Sequence, residues 1–260
     1  MAVADGIDAK FEIGRVTTRT FEVIRANFVS FFVLGLIATL PTTFYTVMVS
    51  SGMVLRSGIG GGAGSGLFLA GTFGSAFVGF LFSLILQATL TYGTITYLSN
   101  QPVVLGRALG IGLREFFPLL AIGILEGLGI LGGFILLIVP AVILAMMWAV
   151  VVPVRVAEHK GIFESFGRSR ELTSGYRWPI LGTLVIYFIG AAIAQTATRP
   201  LIAFGGVNGN SSMFYVGTAL SALIGAVIAV ASATLFACIY YELRVIKEGV
   251  GPEQIAAVFD

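Results

Sequence analysis

Six long apolar stretches divide the chain, at roughly 28–50, 67–97, 118–138, 140–157, 179–198 and 213–243. A helix crosses a hydrocarbon core with about 17–25 apolar residues, so each stretch predicts a membrane span. The second and sixth exceed that need, which predicts tilt or projection from the bilayer. Val139-Pro140 sets a tight turn between the third and fourth, because proline suits the first position of a helix. Between the apolar stretches, three polar segments carry a helical period. In the first, Glu12, Arg15, Arg19 and Glu22 share one face, and Ile13, Val16, Thr20 and Ile24 share another. In the third, Ile162, Phe163 and Phe166 oppose Glu164, Arg168 and Glu171, and Gly175 is placed to end the helix. Glu164 and Arg168 form an i,i+4 pair of the favourable orientation. The middle segment, Val103 to Glu115, follows the same pattern with a lower propensity, set by Gly106, Gly110 and Gly112.

These segments predict amphipathic helices lying on the membrane surface. Each precedes a pair of spans, and each holds a Gly-Arg step: Gly14-Arg15, Gly106-Arg107 and Gly167-Arg168. The expected fold is all-α: one integral membrane domain over 1–260, built as a polytopic helix bundle. It has six spans and three surface helices, in tandem units of one surface helix and one hairpin.

Composition removes the alternatives. Hydrophobic residues make up 57% of the chain and charged residues 11%, with a mean hydropathy of +0.98. Soluble domains carry about 25% charge, so a soluble core is excluded. The net charge of +2 comes from dispersed basic residues, with no nucleic-acid footprint. The single cysteine, Cys238, cannot form an intramolecular disulfide, and with the one histidine, His159, it cannot assemble a zinc site. No metal or cofactor is expected. Charged residues from Asp5 to Arg25 precede any apolar run, unlike a cleaved signal peptide.

Charge also orients the chain. Alternate loops hold Lys10, Arg15, Arg19 and Arg25, then Arg107 and Arg114, then Arg155, Lys160, Arg168, Arg170 and Arg177, and finally Arg244 and Lys247. The opposite loops hold Arg56 and Arg199 alone, thirteen basic residues against two. The positive-inside rule puts both termini in the cytoplasm, and the expected location is the inner membrane of a bacterium. Trp178, Tyr240 and Tyr241 fall where aromatic side chains meet the membrane surface.

Three features carry candidate chemistry. Glu126 stands alone in the uncharged run from Leu119 to Val152. A charge near mid-membrane costs at least about 2.5–3.5 kcal/mol, so Glu126 needs a partner or a task. Gln87 and Arg155 are the candidate partners. The structural reading is a buried, hydrogen-bonded glutamate; the functional one is a proton, cation or headgroup site. The last span carries Gly217, Ser221, Gly225, Ala229, Ala233 and Ala237, a small residue at every fourth position. Span three has Gly123/Gly127 and Gly129/Gly133 at the same spacing. Such stripes admit close helix approach; internal packing is favoured here over a homo-oligomer interface. The run from Arg56 to Gly66 loosely fits a dinucleotide fingerprint, but no βαβ unit surrounds it, so it reads as a connector. Pro41, Pro153 and Pro200 lie in or beside spans and imply no gate.

From Pro140 the chain reads PAVILAMMWAVVVPVRVAEHK, a proline-led span that runs to Glu158. Ser169, Leu172, Thr173, Gly175 and Trp178 then follow in a Ser-x-x-Leu-Thr-x-Gly-x-x-Trp pattern. The closing segment holds Tyr241, Leu243, Arg244, Lys247, Glu248 and Gly249. These stretches resemble the family named for the membrane domain of bacterial glycerophosphoryl diester phosphodiesterase. Arg170 stands where that family often has an aromatic residue. The resemblance implies a membrane module and not the diesterase activity, which belongs to a separate soluble barrel of about 250 residues. The expected function is therefore a non-catalytic membrane module that contacts lipid or a partner protein in envelope maintenance. Arg15, Arg19, Arg168, Arg170 and Arg177 are the candidates for anionic headgroups. The alternative is a small transporter or lipid-translocating protein that uses Glu126.

Overall fold

The computed structural model describes residues 11–50, 62–207 and 211–249. Among them the chain is helical, with no strand. In order, the helices are α1 (Ile13–Ala26), α2 (Phe28–Ser50), α3 (Gly62–Leu98), α4 (Leu105–Arg114), α5 (Phe116–Leu136) and α6 (Ile138–Trp148). They continue as α7 (Val151–Glu158), α8 (Ile162–Thr173), α9 (Arg177–Thr196), α10 (Arg199–Val207) and α11 (Ser211–Glu248). Six stretches are long and apolar enough to cross a membrane, the architecture of a multi-pass membrane protein: Phe28–Tyr45, Gly71–Leu98, Phe116–Leu136, Ile138–Glu158, Arg177–Phe204 and Ser212–Glu248.

The helices close into a ring of three similar units. Each unit is a short helix followed by a hairpin: α1 with α2 and α3, α4 with α5 and α6–α7, α8 with α9 and α11. The second spans, α3, α6–α7 and α11, form the inner set, with α3 and α11 packed along each other and α7 against both. They bury 28–44% of their apolar windows, against 11–17% for the first spans α2, α5 and α9. Each first span leans on the second span of the preceding unit: α5 on α3, α9 on α6, and α2 on α11. The short helices follow the same rule. α4 docks on α3, α8 on α6 and α7, and α1 on α11, which closes the ring between the two ends of the chain. The buried core lies toward the end where the short helices gather; it includes Val16, Val23, Phe31, Leu90, Val154, Leu172 and Tyr240. At the opposite tip of the α5–α6 hairpin, Ile135, Leu136, Leu137 and Ile138 are two-thirds or more exposed, as lipid-facing side chains are.

Span four is broken, where the sequence predicts one helix over 140–157. α6 ends at Trp148, Val150 leaves helical geometry (φ −114°, ψ 19°), and α7 starts at Val151. Pro153 is the physical reason: its ring clashes with the carbonyl four residues back, at Ala149, and it has no N–H to bond there. The break leaves the Met147 carbonyl open. The Ser169 hydroxyl donates to it at 2.8 Å, so α8 docks by capping the broken helix.

Most of the small-residue positions pack inside the bundle, while Gly127 is exposed with no atom near its Cβ position. Gly217 meets Leu201 and Ile202 of α10, and the Ser221 hydroxyl accepts a hydrogen bond from Gln195 at 3.0 Å. Ala233 is buried, Ala229 borders the core, and Gly225 faces Thr39 at van der Waals distance. The tightest approach to α11 comes from α2, where a Cβ on Gly35 would lie 2.8 Å from the Ala226 carbonyl oxygen. In the α5–α6 hairpin, Gly129 receives the Trp148 ring and Gly133 the Ala141 backbone. Of the glycine-rich run 56–66, residues 56–61 lie outside the described residues, and the rest opens α3.

Candidate functional site at the charged end of the bundle

The end of the ring that carries α1, α4 and α8 holds five carboxylates in three groups of ion pairs. Glu242, one turn before the end of the core-facing part of α11, is 1% exposed. It binds Arg15 Nε at 2.5 Å and also Arg19 Nη1, both from α1. The Arg19 guanidinium lies 5.3 Å from the centroid of the Tyr241 ring, adding a cation–π contact. The spacing of Arg15 and Arg19, one helical turn, lets both reach the same carboxylate.

Glu115 lies between α4 and α5 and is 3% exposed. Arg155 of α7 donates to it from Nε at 2.7 Å, and His159 Nδ1 lies 3.7 Å away. The same guanidinium donates from Nη1 to the carbonyls of His159 and Lys160. His159 takes a left-handed conformation (φ 49°), which turns the chain back so that these carbonyls face Arg155.

Glu158, the last residue of α7, is the meeting point of the remaining groups. Arg168 Nε and Lys160 Nζ each lie 3.2 Å from its carboxylate, and the Tyr240 hydroxyl donates to it at 3.1 Å. Arg168 also bridges to Glu171 at 3.1 Å and to Glu248 of α11. Arg244 completes the set, holding Glu248 at 2.8 Å. Burial works against the Arg168 charge, but Glu171 and Glu158 outweigh it and hold its pKa above the ordinary arginine value. Buried charges of this kind are tolerable only when paired and hydrogen-bonded, a condition these residues meet.

Several residues singled out in the sequence therefore have different surroundings from those expected. Arg155 does not reach Glu126: its guanidinium is spent on Glu115 and on two carbonyls, because α7 starts a new helix directed at the α4–α5 junction. Among the described residues, neither Gln87 nor any other side chain forms a hydrogen bond or ion pair with Glu126. Glu126 shares its face of α5 with Ile122, Gly129 and Gly133. Arg15, Arg19 and Arg168 are held by carboxylates, not presented outward. Arg170 is exposed, and so are Arg25, Arg107 and Arg114 at the same end. Arg177 is half-buried at the start of α9, beside the exposed Trp178. Glu115 and Glu242 are absent from the candidates read in the sequence. Their only sequence signal is a lone acid at the edge of an apolar run, a signal that Glu126 gives more loudly.

Recesses open between the described helices. By the short helices, a groove of about 340 Å³ lies between α1, α9 and α11, and one of about 190 Å³ lies between α2, α3 and α4. Away from the charged end, Thr39, Thr43, Gln195, Thr218 and Ser221 line a hydroxyl-rich cavity of about 240 Å³. An open cleft of about 500 Å³ adjoins it beside Arg199. Glu126 is not among the lining residues of these recesses. Among the described residues, no three His, Cys, Asp or Glu side chains are grouped as metal ligands. No family model, curated protein or solved structure matches the chain.

Proposed function

We propose that this chain is a non-catalytic membrane module of the bacterial inner membrane. Both termini face the cytoplasm, and its charged end contacts anionic lipid headgroups in envelope maintenance. The observation that carries this reading is a division of labour among the basic residues. Arg15, Arg19, Arg155, Arg168 and Arg244 are bound to Glu242, Glu115, Glu158 and Glu248, which makes them structural. Arg25, Arg107, Arg114 and Arg170 stand exposed at the same end, where the positive-inside rule puts the anionic leaflet surface. The paired acids are committed to arginines and a tyrosine, which supports a scaffold over a reaction centre. The resemblance to the phosphodiesterase membrane domain supports the same reading, as a module without its soluble barrel.

The test is lipid selectivity. The protein in detergent is offered phosphatidylglycerol and phosphatidylcholine in equal amounts, and the associated lipid is measured by native mass spectrometry. A basic side chain near an anionic surface contributes about 1 kcal/mol. Replacing Arg25, Arg107, Arg114 and Arg170 together by glutamine is expected to lower the preference for phosphatidylglycerol at least about tenfold. An unchanged preference would refute the headgroup reading.

A further inference from the structure

The ring repeats one recess three times, and the three copies differ. Each recess lies between the two spans of one hairpin and the short helix of the next unit. The first copy is walled by α2, α3 and α4, with Leu34, Ile37, Phe82, Leu109 and Leu113 on its lining. The third is walled by α9, α11 and α1, with Phe21, Ile186, Gly190, Val227 and Ala231 among its lining residues. The register is shared. Thr17 and Phe21 stand three and seven residues after Gly14, and Leu109 and Leu113 stand three and seven after Gly106. The second copy belongs to α5, α6 and α8, and there the chain fills the recess itself. Trp148 of α6 lies on Gly129 of α5, so close that a Cβ at Gly129 would be 2.4 Å from the indole. Its other side meets Phe166 of α8 edge-on, with ring centroids 5.0 Å apart. One copy is thus plugged by an indole, and the α9–α11–α1 copy is left as a groove of about 340 Å³.

We infer that the α9–α11–α1 groove seats an acyl chain of an anionic phospholipid from the same leaflet, in the place that Trp148 fills in the second unit. The inference rests on the lipid-contact reading above and specifies where the lipid sits. Two of the walls, α9 and α11, are apolar membrane-spanning segments, so the medium against them is hydrocarbon. The volume lies in the range of ligand pockets and is too small for two turns of another helix, which is about 10–12 Å across. The lining is almost wholly apolar, the Thr17 and Thr20 hydroxyls donate to carbonyls of their own helix, and Arg25 stands exposed one turn beyond Phe21. An apolar groove with a cation near its edge matches an acyl chain and an anionic phosphate. The groove is held open from inside: the Tyr187 hydroxyl donates to the Ile228 carbonyl at 2.7 Å, bracing α9 against α11.

Filling the groove tests this. A side chain on Gly190 meets no atom within 4 Å of its Cβ position, so Gly190→Phe projects into the recess without touching the backbone. Native mass spectrometry of the purified protein with phosphatidylglycerol is expected to show one fewer retained phospholipid than in the parent. Ile189→Phe, at a neighbouring position 55% exposed, is expected to retain the parent number. Ala231→Phe fills the groove from the α11 wall and decides the matter if Gly190→Phe does not fold. Conversely, Trp148→Ala is expected to gain one phospholipid. A folded groove-filling variant with the full lipid number overturns the inference, as does loss of a dimer mass with lipid unchanged, which would make the occupant a second copy. Headgroup preference and lipid number are separate readouts. The four-arginine variant changes the first, the groove variants change the second, and either reading can fail alone.

Discussion

α1 and α4 occupy the same place in successive units and are held there by different chemistry. α1 is fastened by charge: Arg15 and Arg19 both close on Glu242, which is 1% exposed, and Val16 and Val23 are fully buried beneath them. α4 is fastened by fit. Ala108 and Gly112 are buried against α3, and a Cβ on Gly112 would lie 2.2 Å from Thr89 Oγ1 and 3.0 Å from the Ile85 carbonyl. Its arginines, Arg107 and Arg114, are exposed. The shared geometry shows that the docking position does not dictate its side chains. Close helix approach can be reached by a glycine, or a longer reach can be bridged by an ion pair.

The comparison breaks most visibly on the charge side. Arg15→Ala with Arg19→Ala strands Glu242 in the core, and losing the partners of a buried charge costs about 3–5 kcal/mol. Thermal unfolding in detergent is expected to fall sharply, and α1 is expected to become open to limited proteolysis. If stability is unchanged, the clasp is ornamental and α1 is held by its apolar face alone. The fit side is expected to yield less. Gly112→Val forces the Thr89 side chain of α3 out of its rotamer, in which its hydroxyl donates to the Ile85 carbonyl one turn back, and overpacking of this kind costs about 1–3 kcal/mol. The same unfolding measurement reads it; a neutral Gly112→Val would show that α4 stands off α3 in solution. The smallest effect separates the two chemistries. Arg107→Gln removes an exposed charge at the residue that aligns with Arg15 in the Gly-Arg step, and it is expected to stay within about 0.5 kcal/mol. A loss as large as that of the α1 variant would mean that α4 has an ionic clasp of its own.

The spans were legible because burial in a membrane needs only length and apolarity, both of which are local properties. The small-residue stripe of α11 was legible for the same reason, since its period of four is written in one helix. The break after Trp148 was half legible. Pro153 is visible, but whether it kinks or ends a helix depends on what receives the freed carbonyls, here Ser169 on another helix. The charged clasps were the least legible part. Glu242 sits in a run of tyrosine, leucine and valine that looks like the end of a span, and its partners lie 223 and 227 residues away. Arg155 is a candidate partner of Glu126 by its place in span four; the new helix α7 sends it to Glu115 instead.

The clasp between α1 and α11 also sets a schedule for synthesis. Arg15 and Glu242 are 227 residues apart, so α1 leaves the ribosome long before its dock exists. At about 5–20 residues per second, the interval is on the order of 10–45 s. Through that interval the first helix waits with two uncommitted cations, while α4 can settle on α3 as soon as the first hairpin is inserted. Ring closure is therefore the last event of assembly, and a nascent chain cut short anywhere before α11 carries an unlatched leading helix.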